Sequence, residues 1–256
     1  MKYFIALLII LLVVLGLVLS NHDQHGSNEP VTGLPWQIDI LPDGDTRVFG
    51  ITLGHTTLGE AIAQLGDDMD LAIIAAPHEV GSLEAYYGHY SAGPIKGKLI
   101  LVLDIAPAVL SAMRKRAFQD GGTRRYHLYP DDLPVAFLAP VKIINFMPGF
   151  NLDEKIVKAR FGIPAGIIQV REQQQHFLYP DKGLDLILNT DSKEVLQYLP
   201  PGEFGAYRAR LQPAAQYPDT RPFFILTPSA CRAPIDPPFA RIQTATVRRE
   251  LPQYPA

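Results

Sequence analysis

After Met1 and Lys2 the chain reads YFIALLIILLVVLGLVLS, and no polar side chain interrupts Phe4–Leu19. As a helix, Tyr3–Ser20 would span roughly 27 Å, close to the thickness of a hydrocarbon core. A helix packed on a soluble core would show a polar face, and this segment has none. Lys2 and the amino terminus carry the positive charge on one flank, while the other flank, NHDQHGSNEP, has no Lys or Arg. The positive-inside rule therefore predicts a single-pass inner-membrane anchor with the body in the periplasm. The competing expectation is a signal peptide cut near Asn21 and a body released to the periplasm. Val18 and Ser20 are small enough for it, but no clean A-x-A site is present.

The 235 or so residues that would follow suffice for one large domain or two small ones. Hydrophobic residues make up 47% of the chain and charged residues 19%, which implies a packed core and not disorder. The net charge of -3 gives no global field that favours nucleic acid or an anionic membrane surface. Cys231 is the single cysteine, so internal disulfides and multi-thiolate zinc sites are excluded. A lipid-bearing cysteine is also absent after the apolar segment.

Punctuation by Gly, Pro, Asn and Asp divides the rest. Residues 1–20 are the anchor, and 21–35 form a polar spacer. Trp36–Leu41 and Arg47–Leu53 read as strands around the turn Pro42-Asp43-Gly44-Asp45. Thr56 is placed to cap a helix through Leu65, stopped by Gly66. Strands follow at Leu71–Ala76, Leu83–Tyr90 and Lys98–Leu103, then a helix from Pro107 to Phe118. Val135–Phe146 is an apolar stretch broken by Pro140. Asn151 is placed to cap a helix through Phe161, ended by Gly162 and Pro164. Strands follow at Ile167–Arg171, His176–Tyr179 and Leu184–Leu188, then a short helix at Ser192–Leu199. The expected fold class is α+β: a transmembrane helix, then two helix-on-antiparallel-sheet units at 36–122 and 123–204, with a Pro-rich segment at 205–256. The order helix, strands, Gly turn, helix recurs in both units. A tandem repeat and a chance likeness of two α+β halves both account for it.

Within the second unit, LDEKIVKARFGIP (Leu152–Pro164) precedes HFLYPDKGLDLIL (His176–Leu188). This pair resembles the SmpA/OmlA family, the small outer-membrane assembly lipoproteins of the BamE type. The resemblance covers about a seventh of the chain. It implies a small two-helix, three-strand unit that binds envelope proteins or lipid and carries no catalytic residues. The missing lipid-bearing cysteine and the doubled body depart from that family.

Chemistry-bearing motifs are sparse. The chain has no H-E-x-x-H, no G-x-S-x-G, no Ser-x-x-Lys and no phosphate-binding glycine loop. No catalytic, metal or cofactor-binding residue is assigned, and no cofactor is expected. Seven histidines are scattered, with His22 and His25 in the spacer and His176 in a strand. Asp67, Asp68 and Asp70 read as a solvated turn, as do Asp131-Asp132. Tyr-Pro-Asp occurs at Tyr129, Tyr179 and Tyr217, where it marks strand ends at turns. Arg114-Lys115-Arg116 with Arg124-Arg125 is the one basic group of note. It reads as a solvated helix end or as a contact for an anionic partner, either lipid headgroups or an acidic envelope protein. The expected function is a membrane-anchored binding or scaffolding protein of the bacterial cell envelope. The alternative is an extracytoplasmic hydrolase whose site is assembled from scattered residues.

Overall fold

The computed structural model describes residues 32–76, 79–119 and 124–211. The expected anchor Tyr3–Ser20, most of the spacer and the Pro-rich segment beyond Leu211 lie outside these residues. Among the described residues, no helix is long and apolar enough to cross a membrane.

Thirteen strands and five short helices make up the described fold. A small sheet comes first: β1 (Asp39–Ile40), β2 (Thr46–Val48) and β3 (Ile51–Thr52). Arg47–Leu53 is therefore not one strand. Phe49 and Gly50 both hold positive φ, 54° and 80°, and fold it into a two-residue hairpin. Helix α1 (Leu58–Leu65) starts one residue later than expected. Thr57 is its cap, in a reciprocal capping box with Glu60. Thr56 instead accepts a hydrogen bond from the Thr52 amide.

Strands β4 (Asp70–Ile74), β5 (Ser82–Ala92) and β6 (Ile95–Leu103) form a meander. Helix α2 (Pro107–Arg116) and the short strands β7 (Phe118–Gln119) and β8 (Arg125–His127) follow. The Val135–Phe146 stretch divides at Ala139-Pro140 into helix α3 (Leu133–Leu138) and strand β9 (Val141–Pro148). Helix α4 (Glu154–Phe161) is capped by Asp153, whose carboxylate accepts from the Ile156 amide at 2.7 Å. Asn151, the expected cap, accepts from Lys193 instead. A second meander follows: β10 (Gly166–Arg171), β11 (Gln174–Tyr179), β12 (Leu184–Asn189) and β13 (Val195–Tyr198). The helix expected at Ser192–Leu199 is thus a strand. Its residues pair with β12 on one side and β9 on the other, and that pairing overrides local helical spacing. The last helix, α5 (Pro201–Arg208), begins after it.

The fold class differs from the expected one. Two separate units would each own a sheet, but one ten-stranded antiparallel sheet runs β10-β11-β12-β13-β9-β6-β5-β4-β8-β7. Reading outward from the β9–β13 contact, β6-β5-β4 lie on one side and β12-β11-β10 on the other. The two meanders meet because β9 and β13 expose ladder groups that each can satisfy for the other. Helices are few and short beside this sheet, and the longest among the described residues has ten residues.

The main core joins both meanders. Leu83, Leu101, Phe146, Leu196, Leu186 and Phe177 point to one side of the sheet. Leu58 and Ala61 of α1, Val157 and Phe161 of α4, and Val48 and Ile51 of the hairpin complete the same cluster. The opposite face is covered differently: Phe204 of α5 packs with Leu178 and Leu199, beside Ile143, Ile168 and Tyr207.

Candidate functional site

Three features could carry function. The first is the basic group. Helix α2 ends in Arg114-Lys115-Arg116, and β8 begins beside Arg124. Arg114 lies 4.7 Å from the centroid of the Tyr126 ring and donates to its hydroxyl at 3.2 Å. Arg116 pairs with Asp132, and this hydrogen bond is the main reason its guanidinium pKa is raised. Arg125 pairs with Asp70. Lys115 and Arg124 are exposed and make no ion pair among the described residues. The structure therefore brings the five cations to one region but engages three of them locally.

The second feature was not read from the sequence. Ile105, Val109, Val135 and Leu138 line a shallow open depression of about 270 Å³ between α2 and α3. Val109 is 40% exposed, Val135 46% and Leu138 74%, and Phe137 beside them is also exposed. The Arg116–Asp132 pair ties the far ends of the two segments. Below, α1 comes close enough that a Cβ at Gly59 would meet the Phe137 carbonyl at 3.3 Å. Short helices held this closely can keep apolar side chains outward without collapsing onto them. Asp104 sits at the rim, 3.8 Å from the Lys142 ammonium.

The third feature is a buried polar cluster under α5. His176 of β11 and Asp185 of β12 are fully buried, with Nδ1 2.6 Å from a carboxylate oxygen. The other ring nitrogen lies 2.9 Å from the Gln174 amide nitrogen. With that amide donating, Nε2 accepts and Nδ1 carries the proton toward Asp185. The Tyr207 hydroxyl of α5 donates to the same Asp185 oxygen and also lies 3.1 Å from Gln197 Oε1. Burial first, then the Asp185 charge, raises the Tyr207 phenol far above its ordinary range. Strand register assembles this group: Asp185 lies opposite Gln197, and His176 is diagonal to Asp185. The second Asp185 oxygen has no hydrogen-bond partner among the described residues.

No protein family, curated protein or solved structure matches this chain.

A carboxylate-oriented imidazole is the arrangement of a general base. Here both ring nitrogens are occupied and the ring is closed to solvent, so the cluster cannot reach a substrate in this conformation. Its chemistry is that of a register pin, since a one-residue slip would put His176 and Asp185 on opposite faces. Glu84 of β5 is a second enclosed acid, with Ser82 donating to it; burial raises its pKa to about 7. His55 pairs with Asp45 at 2.6 Å on the surface, and the His127 ring stacks on Phe118. His22, His25 and His78 lie outside the described residues. No group of three metal-capable side chains occurs among the described residues. Tyr129 and Tyr179 each precede a 3-10 turn, as Tyr-Pro-Asp suggests, while Tyr217 lies outside.

Proposed function

We propose that this protein is a membrane-anchored binding or scaffolding protein of the bacterial cell envelope, acting without catalysis. Residues 3–20 hold it in the inner membrane and the body stands in the periplasm. The observation that carries the reading is a contrast in placement. The His–Asp pair is sealed beneath α5, whereas Val109, Val135, Phe137 and Leu138 are displayed around an open depression. Exposed apolar groups on a folded body mark contact surfaces more often than reaction sites. A tether raises the effective concentration of such a surface for envelope partners.

Two experiments test this. Reporter fusions after residue 40 should be active only with an export-dependent reporter; activity of a cytoplasm-only reporter rejects the topology. A photocrosslinker at Leu138 in cells should give a reproducible envelope adduct, lost when Val135 and Val109 become Ser. The second reading, a hydrolase, is favoured by the His176–Asp185 pair alone. Turnover of an envelope substrate that disappears in a folded His176→Asn variant would replace the binding reading with it.

A further inference from the structure

We propose that the α2–α3 surface docks on the anionic bilayer surface itself. Val109, Val135 and Leu138 enter the headgroup layer, and Arg114, Lys115 and Arg124 meet lipid phosphates. The inference rests on the tethered reading above and names its partner.

The composition of the surface selects lipid over protein. The exposed large apolar groups of α2 and α3, apart from Phe137, are aliphatic. Protein interfaces centre on buried aromatic and Arg anchors, and a stable one covers about 800 Å² on each partner. A depression of about 270 Å³ lined by Ile105, Val109, Val135 and Leu138 offers no such anchor pocket. A bilayer asks for less. A few apolar side chains beside cations suffice when another element already holds the body near the membrane.

The charges agree. Asp104 at the rim, 3.8 Å from the Lys142 ammonium, shares it with Glu203, which lies nearer at 2.9 Å. Asp132 is matched by Arg116, which Asp131 also faces. Arg114 rests on Tyr126 with its charge not spent on a carboxylate, and Lys115 and Arg124 are exposed without an ion pair among the described residues. Four cations, Arg114, Lys115, Arg116 and Arg124, thus stand beside three carboxylates, Asp104, Asp131 and Asp132. The excess suits phosphatidylglycerol and gives no reason to prefer a neutral surface.

The test uses the full chain with Cys231→Ser, carrying one environment-sensitive fluorophore at Leu138→Cys or at Ile40→Cys. Both positions are exposed, so neither substitution disturbs packing. The protein is reconstituted in phosphatidylcholine vesicles with or without phosphatidylglycerol, and brominated lipid is the quencher. Quenching at position 138 should exceed that at position 40 several-fold when phosphatidylglycerol is present. Lys115→Glu with Arg124→Glu should bring the two positions together. Equal quenching at both positions in a chain that floats with the vesicles overturns the docking and leaves the tether standing. A chain that does not float overturns both. Photocrosslinking from position 138 in cells to a protein, with no lipid adduct, overturns the docking in favour of a protein partner.

Discussion

Gly183 and Gly162 both hold positive φ, 60° and 86°, yet their surroundings differ. A Cβ at Gly162 would meet nothing within 4 Å, whereas at Gly183 it would lie 2.1 Å from the Leu199 carbonyl. Gly162, at φ 86° and ψ -167°, sits in a region that essentially only glycine populates, so Gly162→Ala should cost about 1–3 kcal/mol from backbone strain alone. Gly183, at φ 60° and ψ 31°, is left-handed, so Gly183→Ala should cost about 1–2 kcal/mol for the backbone and a further overpacking cost of about 1–3 kcal/mol, because backbone must move. Urea midpoints of the two variants measure the difference, and equal losses would show that the Leu199 contact relaxes freely. Glu84 gives a pH-dependent counterpart. Burial lifts its carboxyl from 4.5 to about 7, so the native chain keeps a proton that the unfolded chain releases. The unfolded state then binds fewer protons between those values, and stability falls as pH rises through that window. It is fully present below about 4.5 and lost above about 7, a change of roughly 3 kcal/mol. Glu84→Gln, which keeps the shape, should flatten that dependence and stabilise the protein most at alkaline pH. A midpoint that falls with the same slope in the variant would place the titration on another group.

Helix α5 shows how few contacts can hold an element. Phe204 is its buried apolar anchor, and Tyr207 reaches Asp185 and Gln197 below. Tyr207→Phe keeps the ring and removes a donor from Asp185, whose other oxygen already lacks a partner among the described residues. The loss should be about 1–3 kcal/mol and local. Amide exchange should accelerate in residues 201–208 while β9 and β13 stay protected; uniform acceleration would mean that α5 opens only with the whole sheet. Element by element, the sequence was uneven as a guide. Gly and Pro punctuation located α1, α2 and the β10–β12 meander, because those residues have few other uses. Phe49 gave no turn signal, so the β2–β3 hairpin was missed. Val195, Leu196 and Leu199 fit a helical face as well as a strand covered on both sides, and the wrong choice followed. The basic group was legible as a run of letters, but its pairing with Tyr126, Asp132 and Asp70 was not. His176 and Asp185 meet only through strand register, which no spacing in the chain reveals. The α2–α3 surface was hidden because Val135–Leu138 read as part of one apolar stretch and not as a separate, outward-facing helix.

Topology across the whole sheet was the least legible level, since long-range pairing leaves no local mark. Its centre is also where cooperativity is decided. The β9–β13 ladder joins the two meanders through only three residue pairs, against seven between β6 and β9. Backbone bonding alone would make that seam weak. Side chains bridge it: the Phe49 ring lies 5.6 Å from Tyr90 on β5, 5.5 Å from Phe146 on β9 and 5.7 Å from Tyr198 on β13. Tyr198 also donates to the Pro35 carbonyl at 2.7 Å, fastening the segment before β1 across the same seam. One apolar cluster thus contains Leu101 from one meander and Leu186 from the other, both fully buried. Cavities at either position should each cost about 2–5 kcal/mol. If the seam transmits strain, Leu101→Ala and Leu186→Ala lower one shared unfolding transition, with tryptophan fluorescence and circular dichroism coincident in both variants. Two separable transitions, each sensitive to only one substitution, would show instead that the meanders melt independently and that the three-pair ladder is a boundary.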